Sequence, residues 1–272
     1  MRGYLSEGQH WLEDFLQGES AAGPRARALD ALGEMVWTQG HYARAVALFE
    51  EAFVLHGQEG QRASAAHALL AQGMVTCELG DLQRGARLIE EALPLLREQG
   101  ERHGVGWALA SLGGILQMQG DLAAAAARYE ASLALFQELG HTYGSSWQLA
   151  NLANLALNQG QHEQARRFYR ESLQLRRALL DKVGCAECFE GLAAAAAAEE
   201  QPLRAARLIG AVHSLREALG APGESDRTAF ERAVADVQQA LGAEAFAAAW
   251  AAGEAMGLEE AIAYGLQEGE PA

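Results

Sequence analysis

The chain has 272 residues, 50% apolar, 21% charged and 7% aromatic, a composition that buries a substantial core and excludes a disordered polypeptide. Its formal net charge of −15, from 36 acidic and 21 basic residues, opposes general affinity for phosphate backbones and anionic lipid, so neither nucleic acid nor membrane is expected as a direct partner. Three cysteines are too few for a disulfide framework, no leader-like segment is read at the start, and no apolar run approaches the roughly 20 residues of a bilayer-spanning helix, so a cytoplasmic protein is expected.

Residues 1–20 read as half a structural unit. Gly8, Trp11, Leu12, Phe15 and Leu16 have the spacing of one amphipathic helix with no partner helix before it. A helical unit cannot bury its apolar face alone, so this N-terminal edge, around Trp11 and Tyr4, is expected to be covered by further repeats, a partner or self-association.

From residue 21 the glycines set a period. Gly40, Gly80, Gly120 and Gly160 lie forty residues apart, as do Gly60, Gly100 and Gly140, with Gly220 in the same series; only Leu180 and Glu200 break the two series. Five units follow: 21–60, 61–100, 101–140, 141–180 and 181–220. Within them the apolar spacing is helical, as in Leu29, Leu32, Met35 and Val36, then Val46, Phe49 and Phe53. Each unit is therefore predicted to be helix, turn, helix, turn, with glycine supplying the left-handed residue that ends a helix.

Superposed units show columns of size. Gly33, Gly73, Gly113, Ala153 and Ala193 share one position, and Ala45, Gly85, Ala125, Ala165 and Ala205 another; the large residues Phe49, Ile89, Tyr129, Tyr169 and Ile209 share a third. Three mid-helix glycines cost about 3 kcal/mol relative to alanine, which close helix approach must offset. The order Leu109, Leu112-Gly113, Leu116, Ala125, Tyr129 and Ser132 resembles the tetratricopeptide repeat, lengthened from about 34 residues to 40 as in MalT-like regulators and kinesin light chains. HEAT and armadillo repeats have periods of about 40–47, but the Leu-Gly pair and the small columns argue against them. The resemblance implies an all-α fold, a right-handed α-solenoid of tetratricopeptide-like helix pairs with a C-terminal helical cap.

Residues 221–272 are that expected cap. Ser225 is placed to cap a helix carrying Phe230, Val234, Val237 and Leu241; Gly242 ends it, a second helix carries Phe246 and Trp250, and a third follows Gly257 with Ile262 and Leu266. Arg204 to Ala211, Leu215 to Pro222, and Ala245-Phe246, Trp250, Gly253 and Glu259 to Ala261 resemble the C-terminal part of bacterial signalling ATPases whose arrays accompany nucleotide-binding and LuxR-type DNA-binding domains. This implies the sensor or scaffold part of a transcriptional or signalling regulator, with such a regulator domain as a partner. The chain has neither domain, so neither activity carries over.

No catalytic constellation emerges, and no cofactor or metal is expected. The eight histidines form no helical pair, and the sole lysine, Lys182, follows Asp181 rather than a P-loop glycine. Cys185 and Cys188 form a CxxC pair without a second, at positions that hold small residues in other units, so they read as packed thiols. Glu50, Glu51, Glu90 and Glu91 read as a solvated face of the second helices.

The first helices carry the candidate groove. Trp147, Asn151, Asn154 and Asn158 follow one another at i, i+4, i+7 and i+11 and so share one face. The same columns hold His67 and Met74 in the second unit, and Trp107 and Ser111 in the third. An amide side chain offers donor and acceptor together, which matches a peptide unit, and the resemblance implies that Asn151 and Asn154 bracket an extended peptide while Trp107 and Trp147 stack on its side chains. The places of the basic residues in carboxylate-clamp arrays hold Leu70, Ala110, Ala150 or Trp107. A non-catalytic protein- or peptide-interaction array is the leading expectation. A small-ligand receptor for a sugar or metabolite, and an oligomerisation module, are the alternatives.

Overall fold

The computed structural model describes residues 2–18, 21–220 and 227–267, apart from the side chains of residues 2–6, 227–230 and 232. Its helices are α1 (Arg2–Gly18), α2 (Ala22–Thr38), α3 (Tyr42–Gln58), α4 (Arg62–Glu78), α5 (Leu82–Glu98), α6 (Arg102–Met118) and α7 (Leu122–Glu138). They continue as α8 (Thr142–Asn158), α9 (His162–Ala178), α10 (Lys182–Ala198), α11 (Pro202–Leu219), α12 (Arg227–Leu241), α13 (Ala243–Glu254) and α14 (Leu258–Leu266). The expected all-α fold of sequential helix pairs is what the chain adopts. Ser225 lies outside the described residues, as do 221–223 and the side chains of Tyr4 and Phe230.

Local chemistry sets the helix length. Each helix from α2 to α10 has 17 residues and stops at a left-handed residue, such as Gly80 at φ 96° or Gly120 at φ 85°. The freed carbonyls are then taken up in a Schellman closure: the Gly80 N–H donates to Cys77 O at 2.9 Å and the Asp81 N–H to Thr76 O at 3.1 Å. Asp81, Asp121 and Asp181 begin the following helices by accepting from the N–H groups of Arg84, Ala124 and Gly184. Leu180 and Glu200 keep the same geometry without glycine, at φ 57° and 59°, although a left-handed residue with a side chain costs about 1–2 kcal/mol. Tertiary packing therefore imposes the turn, and glycine makes it easy.

The chain divides into two compact units, Met1–Leu135 and Phe136–Ala272. In the first, the small column admits the large one. A Cβ on Gly33 would lie 2.8 Å from the Phe49 ring, on Gly73 2.7 Å from Ile89 Cγ1, and on Gly113 2.7 Å from the Tyr129 ring. Leu69, Ile89, Leu96 and Leu109 fill the core between α4, α5 and α6.

In the second unit, Ala153, Tyr169, Leu173, Phe189, Leu192, Leu208 and Ile262 share one core. Here α11 and α13 meet backbone to backbone: a Cβ on Gly253 would lie 2.0 Å from Arg207 O, and one on Gly210 2.3 Å from Trp250 O. Helix α14 rests on α9, α10 and α11. Its C-terminal carbonyls, the negative end of the helix dipole, are held by arginines: Arg204 donates to Tyr264 O at 3.1 Å and Gln267 O at 2.9 Å, and Arg170 to Gly265 O at 3.4 Å. Arg177 pairs with Glu259 at 2.6 Å. Arg170 stands in the column occupied by Glu50, Glu90 and Glu130 in earlier units, so the solvated acidic column reverses sign where α14 docks.

Candidate functional site

The candidate residues are distributed over both units, and each unit has its own arrangement. In the second unit, Trp147, Asn151, Asn154 and Asn158 descend one face of α8. Asn154 and Asn158 are exposed, Asn151 half-buried, and Trp147 is 38% exposed. Leu149, Leu152, Ala153 and Ala156 anchor the opposite side of the helix in the core.

Asn151 and Asn154 are each already engaged on one side. Tyr169 of α9 donates its hydroxyl to Asn154 Oδ1, and the Asn151 Nδ2 group donates to Gln148 Oε1 at 3.3 Å. Tyr169 can reach this face because α10 presents bare backbone to it: a Cβ on Gly191 would lie 2.0 Å from Tyr169 Cζ. Burial, with Cys188 and Glu190 adding to it, raises the phenol well above its ordinary range, so the hydroxyl remains a donor.

Trp147 has a second support. The Arg176 guanidinium lies 5.6 Å from the indole centroid, within cation–π range, and the Tyr143 ring lies 6.2 Å away on the same helix. Arg176 is 1% exposed and pairs with Glu187 Oε2 at 2.7 Å, while its Nε and Nη2 have no hydrogen-bond partner. Gly184 makes room for it, since a Cβ there would lie 2.0 Å from Nη1. In the repeat frame this position holds His56, Leu96 and Phe136, so a buried charge has replaced a core residue beneath the exposed indole.

In the first unit, Trp107 and Met74 are partly buried and pack against the core of Leu69, Leu70 and Leu109. Ser111 is half-buried on α6, and the exposed His67 pairs with Glu101 at 3.0 Å. Trp107 and Met74 thus lean into packing, and the polar side of the candidate face is concentrated on α8. Tyr129 of α7 repeats the Tyr169 device, donating to Gln117 Oε1 at 3.0 Å beside the bare Gly114.

The CxxC pair lies inside the second unit. Cys185 is 1% and Cys188 0% exposed; burial foremost pushes their thiols up to about 12 and about 11, and Cys77 likewise to about 11. Protonated buried thiols are poor nucleophiles and poor metal ligands, which agrees with packed cysteines. Among the described residues no group of three or more His, Cys, Asp or Glu is placed to hold a metal ion, and no helix is long and apolar enough to cross a membrane.

Two models of the tetratricopeptide repeat match the chain, one over residues 64–138 and the other over residues 25–58 and 147–182, so the α8 face falls inside a matched repeat. The chain carries a tetratricopeptide-repeat array. Such arrays are generally protein-interaction modules and are usually non-catalytic. Solved structures share the architecture at low identity. BtubC (BKLC) from P. vanneervenii is 18% identical with a TM-score of 0.64, over 83% of this chain and 93% of that one. A Podosopora anserina putative kinesin light chain with nearly identical repeats is 16% identical with a TM-score of 0.56, over 73% of this chain and 97% of that one. Aspartyl phosphate phosphatase F from Bacillus subtilis is 11% identical with a TM-score of 0.62, and the array spans 86% of its own length and 64% of the phosphatase. At these identities the likeness is one of fold. No curated protein sequence matches the array.

Two features of the α8 face escape the sequence pattern. Tyr169 shares its column of large residues with Phe49, Ile89, Tyr129 and Ile209, so only the hydroxyl it has in common with Tyr129 hints at a role beyond packing. Arg176 lies outside the first helices altogether, and the bare Gly184 opposite it is no distinct signal, because Gly104 and Gly144 face Leu96 and Phe136 in the same way.

Proposed function

We propose that the chain is a non-catalytic array that takes an extended peptide segment against α8, with Asn151 and Asn154 on the peptide backbone and Trp147 on a side chain. The carrying observation is the row of amides left at the surface of a helix whose other side is core. Asparagine is a weak helix former, so three in one helix imply that something other than helix stability is served. The resemblance of Arg204 to Pro222 and of Ala245 to Ala261 to signalling ATPases supports placing the array as the sensor or scaffold part of a bacterial transcriptional or signalling regulator. The likeness to the phosphatase supplies no reaction here, because it covers fold alone.

Panning a random-sequence peptide library displayed on phage against the full chain tests this reading. Enrichment is expected on the wild type and loss of it on the Asn151→Ala/Asn154→Ala variant, with the helical melting transition nearly unchanged. Equal enrichment on both proteins overturns the reading.

A second reading, self-association through α1, rests on Trp11. It is 71% exposed at the position that Glu51, Glu91 and Glu171 hold in later second helices. Light scattering is expected to give a multiple of the 29.0 kDa chain mass that returns to one chain in Trp11→Glu. A wild type that scatters as a single chain sinks this reading.

A further inference from the structure

Asn151 and Asn154 of α8 are not interchangeable, because each is bonded to the protein through a different end of its amide. Tyr169 occupies Asn154 Oδ1 with its hydroxyl, which turns Asn154 Nδ2 away from the protein. Asn151 is turned the other way: its Nδ2 is directed at Gln148 Oε1, leaving Oδ1 without a hydrogen bond from the protein. Gln148 is 1% exposed and its Nε2 has no hydrogen-bond partner, so packing alone directs its Oε1 at Asn151. Tyr169 is 2% exposed, wedged over Gly191, where no side chain competes for its position. One helical turn therefore shows an acceptor at Asn151 and a donor at Asn154, on the same face.

We propose that this pair binds the backbone of an extended peptide with fixed roles, Asn151 Oδ1 accepting a backbone N–H and Asn154 Nδ2 donating to a backbone carbonyl, with Tyr169 as the positioning residue that sets the polarity of the pair. The inference rests on the peptide-groove reading and adds the hydrogen-bonding role of each amide. Along one edge of an extended strand the N–H and C=O of a residue point to the same side, and an acceptor beside a donor on one helix face matches them. A sugar hydroxyl both donates and accepts, and would not discriminate between the two asparagines.

Asparagine-to-aspartate exchange separates the two roles, since it keeps the shape and the acceptor, removes the donor, and adds the same charge at either site. Asn151→Asp loses the bond to Gln148 Oε1, which the unpartnered Gln148 Nε2 can replace by turning to donate; with a synthetic peptide taken from the wild-type enrichment and titrated against the full chain, this variant is expected to bind within about threefold of wild type. Asn154→Asp places a carboxylate against the peptide carbonyl and is expected to lose tenfold or more in affinity, roughly the effect of one unmade hydrogen bond with its desolvation. Tyr169→Phe keeps the ring over Gly191 and frees the Asn154 amide to rotate. It is expected to weaken the same peptide roughly threefold to tenfold, an effect absent when Asn154 is already alanine.

Equal losses in the two aspartate variants, the reverse order, or an unaffected Tyr169→Phe overturn the polarity while leaving the groove in place. If the double alanine variant still binds the peptide, the groove reading itself has failed. The aspartate exchanges are on exposed or half-buried positions and test the proposal even if Tyr169→Phe perturbs folding.

Discussion

Gly253→Leu is expected to unseat α13 from α11 and to be the most damaging single substitution among the array's glycines. The position a Cβ would occupy is 2.0 Å from Arg207 O and 2.8 Å from Arg207 C, and both are backbone atoms of a helix held on its other side by α10. No rotamer change relieves a clash with backbone, so the helices must part. Overpacking typically costs 1–3 kcal/mol and occasionally more, and a backbone contact belongs at the upper end, about 3 kcal/mol. That corresponds to a fall of roughly 6–12 °C in the melting midpoint of a unit this size. Gly257→Ala is the control: φ there is −68° and nothing lies within 4 Å of the added atom, so the midpoint is expected to hold. Circular dichroism melts of the two variants decide it, and equal midpoints would mean that α11 and α13 do not meet through these glycines.

A second large effect is expected at Gly113→Leu, with Gly114→Leu as its neighbour control. A Cβ at Gly113 would lie 2.7 and 2.8 Å from Tyr129 Cε1 and Cδ1, and Tyr129 is 3% exposed and tied to Gln117 through its hydroxyl at 3.0 Å. The ring cannot swing aside without giving up that bond and its burial, so a cost of about 1–3 kcal/mol is expected. At Gly114 the added atom meets only the Tyr129 hydroxyl, at 3.5 Å, which is ordinary contact. Urea denaturation should therefore show a lowered midpoint for the first variant and a nearly unchanged one for the second. The opposite order would shift the small column by one residue and with it the whole repeat frame.

What the residues reveal in advance, and what they conceal, follows from the range of the interactions. The forty-residue period is legible because a left-handed turn selects glycine locally, and Leu180 and Glu200 show that the turn persists where the glycine is missing. The pairing of Gly33, Gly73 and Gly113 with Phe49, Ile89 and Tyr129 is legible because size columns record helix contact directly. The α8 asparagines are legible as a face, since helical spacing alone puts them there. Their orientation is not, because that of Asn154 depends on Tyr169, fifteen positions away in a column of large residues that reads as packing, and that of Asn151 on the buried Gln148. Arg176 is concealed for a similar reason: an arginine near a helix end suggests solvent, whereas the bare Gly184 lets it fold into the place that Leu96 and Phe136 take in earlier units. The sign reversal at Arg170 is visible in the sequence but acquires meaning only once the carbonyls of α14 are seen to dock beside it.

The central claim, that the amides of Asn151 and Asn154 contact an extended peptide, is tested most directly by following their side-chain NH2 correlations in proton–nitrogen spectra of the full chain during titration with an enriched peptide. The two pairs can be assigned from the Asn151→Asp and Asn154→Asp variants, each of which removes one of them. The account predicts that the Asn154 pair shifts most, as its outward Nδ2 gains an acceptor, and that the Asn151 pair, directed at Gln148, shifts less. Saturating peptide that leaves both pairs in place while resonances elsewhere move would contradict it.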